Sequence, residues 1–251
     1  MFFFKNLKEK LSKKNQLKII SGYDFRYSNI GKICEKNIQK YAQFHNFDYE
    51  VYKIRNFKER PAAWFKIKIL LKLIKETNFK YFLWIDSDAF FCNYENIMEN
   101  IDKTKNAHMV FHFCKSKLIN KNNFIHNFYL GPNMGFFLIK NCSWSYNFLK
   151  EIWNKKKYIN STFWEQSALY SMLGINSEIN SIKKNKKNNK LMSKIEILPL
   201  KWNSIPNRFY FQKQDDVDLS LFTFNPNVIH LAGMRRKYRI KFLKKFKNIF
   251  I

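Results

Sequence analysis

Asp86 and Asp88 stand one residue apart, directly after the apolar run Tyr81-Phe82-Leu83-Trp84-Ile85. The run reads as a buried strand, and ionised carboxylates are rarely buried without a partner. Residues i and i+2 of an extended chain share a face, so the two side chains are expected to converge at the strand's end. A hard divalent ion, Mn²⁺ or Mg²⁺, suits such a pair, because it prefers oxygen ligands and commonly bridges carboxylates to substrate phosphates. The other reading of Asp86-Ser87-Asp88 is a strand-ending turn, where Asp and Ser are favoured. His108 and His112 share one face of a later strand, near Cys114. Three ligands on one strand do not readily surround a tetrahedral ion, which argues against zinc there.

The elements that must position these residues alternate in type. Leu17 to Ser21 reads as a strand with a turn at Ser21-Gly22, and apolar spacing predicts a helix over 30–44. Alternation predicts a strand over 49–54, and Pro61 opens a helix reaching about Glu76. Further strands are expected over 109–113, 135–139 and 227–229, with helices over 143–153 and 167–173. This order predicts a single α/β domain: a mixed, mostly parallel sheet flanked by helices. Ligands of such sheets bind beyond the carboxyl ends of the strands, where Asp86 and Asp88 fall. A basic arm is expected over 1–16, the main domain over 17–236 and a basic amphipathic tail over 237–251.

At 251 residues, with 46% hydrophobic and 18% aromatic residues, the chain can bury a full core and is not a disordered polyampholyte. No stretch approaches the roughly 20 apolar residues of a membrane helix. Met1-Phe2-Phe3-Phe4 is too short for a signal sequence. The four cysteines form no C-x-x-C pair and read as free thiols of a reducing cytoplasm. The charge of +27 would suit nucleic acid. Abundant Lys, Asn, Ile and Phe all come from AT-rich codons, however, Arg occurs only seven times, and no nucleic-acid-binding motif is present. The Lys/Asn run from Ser181 to Lys190 reads as a surface loop. From Arg235 to Ile251 there are eight basic residues and no acidic one, with Phe242, Phe246, Ile249 and Phe250 near helical spacing. That stripe either lies on an anionic membrane, which would make the protein peripheral at the inner face, or packs onto the domain.

Four more segments carry information jointly with Asp86-Ser87-Asp88. They are Arg60-Pro61-Ala62-Ala63-Trp64-Phe65-Lys66, the segment from Asn133-Met134-Gly135 to Ser145, Trp164-Glu165-Gln166-Ser167-Ala168-Leu169, and Val228-Ile229-His230-Leu231-Ala232-Gly233. In this order the chain resembles the fungal galactosyltransferase and plant xyloglucan xylosyltransferase family, glycosyltransferase family 34, from about Lys18 to Arg236. The resemblance implies a GT-A fold (Rossmann-like) and a retaining transfer from a nucleoside-diphosphate sugar, expected to be a UDP-hexose or UDP-pentose, to a glycan or lipid-linked acceptor. It implies metal ligation by Asp86, Asp88 and His230, usually of Mn²⁺. It places Ser21, Gly22, Lys66, Ser87, Asn133, Gly135, Gly233 and Arg235 around the donor, and sets Glu165 and Gln166 against the transferred sugar. Trp164 stands where the family often has a first acid, which puts the catalytic step and acceptor contacts in question. Each residue also has an ordinary reading: His230 as structural, Lys66 as solvated like Lys68, Lys72 and Lys75, Arg235 as the first charge of the tail, and Glu165 as a helix-dipole partner. A non-catalytic sugar- or partner-binding protein of the same fold is the alternative function, and nucleic-acid binding a more distant one.

Overall fold

The computed structural model describes residues 16–120, 123–175, 189–206 and 223–251. The N-terminal arm and nearly all of the 181–190 run lie outside the described residues. The elements are β1 (Leu17–Tyr23), α1 (Ser28–His45), β2 (Asp48–Lys53), α2 (Phe65–Glu76), β3 (Tyr81–Ile85), β4 (Ala89–Phe91), β5 (Ala107–Asn120), β6 (Asn123–Lys140), α3 (Ser143–Asn154), α4 (Glu165–Leu173), the short α5 (Asn189–Met192), β7 (Ile195–Leu198), β8 (Val228–His230) and α6 (Arg236–Lys245).

Six strands form one sheet in the order β2-β1-β3-β6-β5-β7, and β4 pairs with β8 in a second, two-stranded sheet. The β1–β2, β1–β3 and β5–β7 pairings are parallel, while β6 runs antiparallel to both β3 and β5. The expected 109–113 and 135–139 strands are thus two arms of one long hairpin, with a register shift between Met109 and Phe111.

Strand β3 is buried throughout and sends alternate residues to opposite faces. Tyr81, Leu83 and Ile85 join the core under α1 and α6, whereas Phe82 and Trp84 join the core under α2, α3 and α4. Helix α1 contributes Ile30, Cys34, Ile38 and Tyr41 to the first core, and α2 contributes Ile67, Leu70 and Leu73 to the second. Lys68 and Lys72 stay in water, as their helical phase predicts.

The tail helix packs much of its stripe onto the domain. Phe242 is buried, and Phe246 and Phe250 rest against the first core. Asn37 Nδ2 donates to the carbonyl of Ile251, so the chain's last residues are bound into the domain. Ile249 remains 41% exposed. Among the described residues no helix is long and apolar enough to cross a membrane. Cys34, Cys92 and Cys142 are free thiols.

Candidate donor and metal site

The chain leaves β3 at Ile85 and turns before re-entering β4 at Ala89, with the Ala89 N–H donating to the Asp86 carbonyl (2.9 Å). The two carboxylates converge through this turn, not along one strand face as their i, i+2 spacing predicts. Asp86 continues the phase of Phe82 and Trp84, so it faces α2; Asp88, past the bend, faces α6. Strand β8 pairs with β4 so that His230 lies opposite Ala89. His230 Nε2 is 3.5 Å from Asp88 Oδ1 and 3.9 Å from Asp86 Oδ2, and one donor atom from each of the three residues falls within 4.8 Å of the others. Two neighbouring carboxylates and a histidine distant in sequence therefore share one point. Two hard carboxylate oxygens and one imidazole nitrogen, with no thiolate, suit Mn²⁺ or Mg²⁺.

Each carboxylate divides its oxygens. The inner ones face His230. Asp86 Oδ1 accepts from the Lys66 ammonium (3.0 Å) and from Trp84 Nε1–H (2.6 Å), and Asp88 Oδ2 pairs with Arg239 Nη1 (3.1 Å). Lys66 is not solvated like its helix neighbours. It is buried and also pairs with Glu165 Oε1 (2.9 Å) and donates to the Met134 carbonyl (3.0 Å). Burial alone would push the Lys66 ammonium down, but Asp86 and Glu165 together push it well above the ordinary lysine range. Burial likewise raises the Asp88 carboxyl, and the His230 and Arg239 charges outweigh it, holding Asp88 below the usual carboxylate range. Glu165 shares its lysine with Asp86; burial, then the Asp86 charge, raises its carboxyl against the pull of Lys66. Its second oxygen, Oε2, is buried with no hydrogen-bond partner among the described residues.

A relay behind the site fixes the tautomer of His230. The Gly135 N–H donates to Asn133 Oδ1 (2.8 Å), so that atom is an acceptor. Asn203 Nδ2 donates to the same oxygen (3.1 Å), which leaves Asn203 Oδ1 facing His230 Nδ1 (3.0 Å). Nδ1 must then carry a proton, and Nε2 is the nitrogen that faces the carboxylates. Such outer hydrogen bonds orient metal-binding imidazoles. Gly135 is required sterically as well: a Cβ there would meet His230 Cε1 at 2.1 Å.

The remaining expected residues scatter. Ser21 is fully buried at the end of β1 and Gly22 is half-buried beside it, one strand from β3. Ser87 forms the middle of the turn, and Gly233 has φ 71°, a turn conformation natural to glycine. Arg235 is exposed at the start of α6; the guanidinium that reaches the site is Arg239, one helical turn on. Gln166 uses Oε1 to accept from the Met134 N–H (2.9 Å) and Nε2 to donate to the Tyr170 hydroxyl (2.8 Å), which ties α4 to β6. His108 lies apart from this cluster, its Nε2 at the Asp102 carbonyl, whereas His112 adjoins the relay with its Nε2 at the Asn203 carbonyl. Sequence reading missed Asn203 and Arg239. Arg239 had a signal: three of the seven arginines of this lysine-dominated chain fall within residues 235–239.

A mixed sheet with an Asp-x-Asp turn at the end of its central strand, closed by a late histidine, is the GT-A architecture of glycosyltransferases. The solved structures it is similar to agree. A glycosyltransferase involved in glycosylation of the PBCV-1 major capsid superposes with TM-score 0.62 at 14% identity, over 92% of this chain and 99% of that one. The galactosyltransferase LgtC follows, with TM-score 0.55 at 11% identity, over 92% of this chain and 94% of that one. Residues 19–202 match the galactosyl transferase GMA12/MNN10 family, and the chain belongs to that family. It is 28% identical over 119 residues to galactomannan galactosyltransferase 1 of Cyamopsis tetragonoloba. That match spans 47% of this chain and only 26% of the plant protein.

Proposed function

We propose that the protein is a metal-dependent glycosyltransferase that moves a hexose or pentose from a UDP-sugar to a glycan or lipid-linked acceptor, with retention at the anomeric carbon. The observation that carries this reading is the convergence of Asp86, Asp88 and His230 at the carboxyl end of β3, with each carboxylate's outer oxygen held by a buried or half-buried cation. In the reaction the bond from the anomeric carbon to the diphosphate breaks, one to an acceptor oxygen forms, and the acceptor's proton leaves with the diphosphate. A divalent ion in this site would offset the charge growing on the departing diphosphate. Asp86, Asp88 and the Nε2 of His230 would hold it. Lys66 and Arg239 hold the two carboxylates in place by their outer oxygens. Glu165, buried against Lys66, places negative charge on the sugar side, where positive charge develops on the anomeric carbon.

A thermal melt with nucleoside diphosphates, with and without Mn²⁺, tests the donor site. Saturation at about a hundred times the dissociation constant adds about 2.7 kcal/mol, worth roughly 5–10 °C in a chain of this size. The expected result is a shift with UDP and Mn²⁺ together that is lost in Asp88→Asn. Absence of any shift with every nucleotide would end the donor-site reading. A shift without sugar transfer or donor hydrolysis would point instead to a binding protein built on the same fold.

A further inference from the structure

The Arg239 guanidinium is built into the metal site and is not a stray charge of the tail. Its Nε–H donates to the Leu231 carbonyl (3.1 Å), its Cζ lies 5.3 Å from the centroid of the Tyr27 ring, and Nη1 meets Asp88 Oδ2 at 3.1 Å. Its side chain is 11% exposed. Helix α6 is fixed by Phe242 and Leu243, both buried in the first core. Arg235 and Arg236 on the same helix are exposed.

The charges around the inner oxygens decide what such a site binds. Asp86 and Asp88 face Lys66 and Arg239 one for one, and Glu165 draws on Lys66 from its other side. A divalent ion entering between the inner oxygens therefore meets three carboxylates that already share two fixed cations, so the pair that would ligate it offers only part of its negative charge. Charge repulsion is weakly screened in so buried a place. An anionic diphosphate arriving with the ion removes that penalty, because it supplies the negative charge that the cations have taken from the carboxylates. Building on the donor-site reading above, we propose that Arg239, acting through Asp88, makes divalent-ion binding depend on the diphosphate, so that ion and nucleotide enter together. Arg239 is on this account a positioning residue that sets the order of assembly.

The test is a Mn²⁺ titration followed by electron paramagnetic resonance, with and without UDP, on the wild type, Arg239→Gln and Arg239→Lys. Linkage makes the coupling reciprocal, and couplings between sites commonly span about 5- to 150-fold. The wild type is expected to bind Mn²⁺ at least about tenfold more tightly with UDP present. Glutamine keeps a hydrogen bond to Asp88 without the charge. Arg239→Gln should therefore bind Mn²⁺ alone about five- to tenfold more tightly than wild type and lose a matching part of the UDP enhancement. Arg239→Lys should stay near wild type. A merely orienting role would give the opposite sign, with weaker Mn²⁺ binding in Arg239→Gln, and that result overturns the proposal. Equal Mn²⁺ affinity in the wild type with and without UDP overturns it too, whether or not the variants fold. If the wild type binds both ligands with coupling but Arg239→Gln is unchanged, only this inference falls. If the wild type binds neither, the donor-site reading falls with it.

Discussion

The two carboxylates of the Asp86-Ser87-Asp88 turn are held in unlike ways. Asp86 is secured by Trp84 two residues before it and by Lys66 from the preceding helix, and the same lysine reaches on to Glu165 and to the backbone of β6. Asp88 is secured by His230 and Arg239, both from the last quarter of the chain. The first arrangement ties the end of β3 to the start of α4 through one cation shared by two acids. The second closes the site with the C-terminal helix. One side is a shared charge whose loss orphans two anions; the other is a one-to-one pair backed by a histidine.

Substitution of the two cations breaks this comparison most sharply. Lys66→Met leaves Asp86 and Glu165 facing each other without a counter-ion, and removing one member of a buried ionic set commonly costs about 3–5 kcal/mol. Arg239→Met leaves Asp88 with His230 still beside it and should cost clearly less. Chemical denaturation of both variants measures the gap. Equal losses would mean that Lys66 serves only one of its two acids. Next in size is Asn203→Leu, which frees His230 to take either tautomer. Loss of such an outer contact typically weakens metal binding about 10- to 100-fold. The readout is the Mn²⁺ needed to raise the melting temperature in the presence of UDP, and unchanged demand would show that the relay does not govern His230.

The two sides were also unequally legible. The buried run of β3 places Asp86 and Asp88 at its end, whereas Lys66, like His230, was named by the resemblance alone. Asn203 carries no periodicity: it is a buried amide in the loop after β7, and only the tertiary approach of Asn133 and His230 gives it a role. Arg239 was not singled out, because helical phase within a uniformly basic segment cannot be read until the buried face is known. The strands expected over 109–113 and 135–139 came out short for a similar reason. The hairpin runs on to Asn120 and starts from Asn123 through residues such as Lys115, Ser116 and Lys117, whose types do not announce a strand. What the pattern did predict, the buried β3 between α-covered faces, is the part in which every residue's burial follows from its own apolarity.

Glu165 sharpens the comparison at a smaller scale. Its carboxyl is raised by burial and by Asp86 against Lys66, so the folded protein binds this proton more tightly than the unfolded chain does. Stability is then lost as pH rises from the unfolded value, about 4.3, through the raised folded value, and stays lost above it. Glutamine mimics the protonated acid. Glu165→Gln should therefore melt higher than wild type at pH 7 to 8, with the advantage shrinking towards pH 4, while transfer falls. A variant less stable at every pH would show that the ionised Glu165–Lys66 contact is a net stabiliser.

The smallest expected effect lies at the turn that presents Glu165. The Gln166 N–H donates to the Phe163 carbonyl (3.0 Å), closing a four-residue turn whose second residue, Trp164, has φ 48° and ψ −121°. That conformation belongs to the first central position of a type II′ turn, which glycine normally fills. A bulky residue held there costs on the order of 1–3 kcal/mol. The Trp164 ring recovers little of it by burial, being 44% exposed beside Phe163 at 39%. Strain at the residue next to Glu165, with two aromatic rings turned outward, makes Trp164 the residue at which to test acceptor stacking under the proposed function. Trp164→Gly should release the strain but enlarge the freedom of the unfolded chain, for a net gain of about 1 kcal/mol, or roughly 2–4 °C. The shift induced by UDP and Mn²⁺ should survive, because nothing at Asp86, Asp88 or His230 changes, while transfer to the acceptor drops. A loss of stability with transfer intact would mean that the ring is packing ballast and that the acceptor is gripped elsewhere.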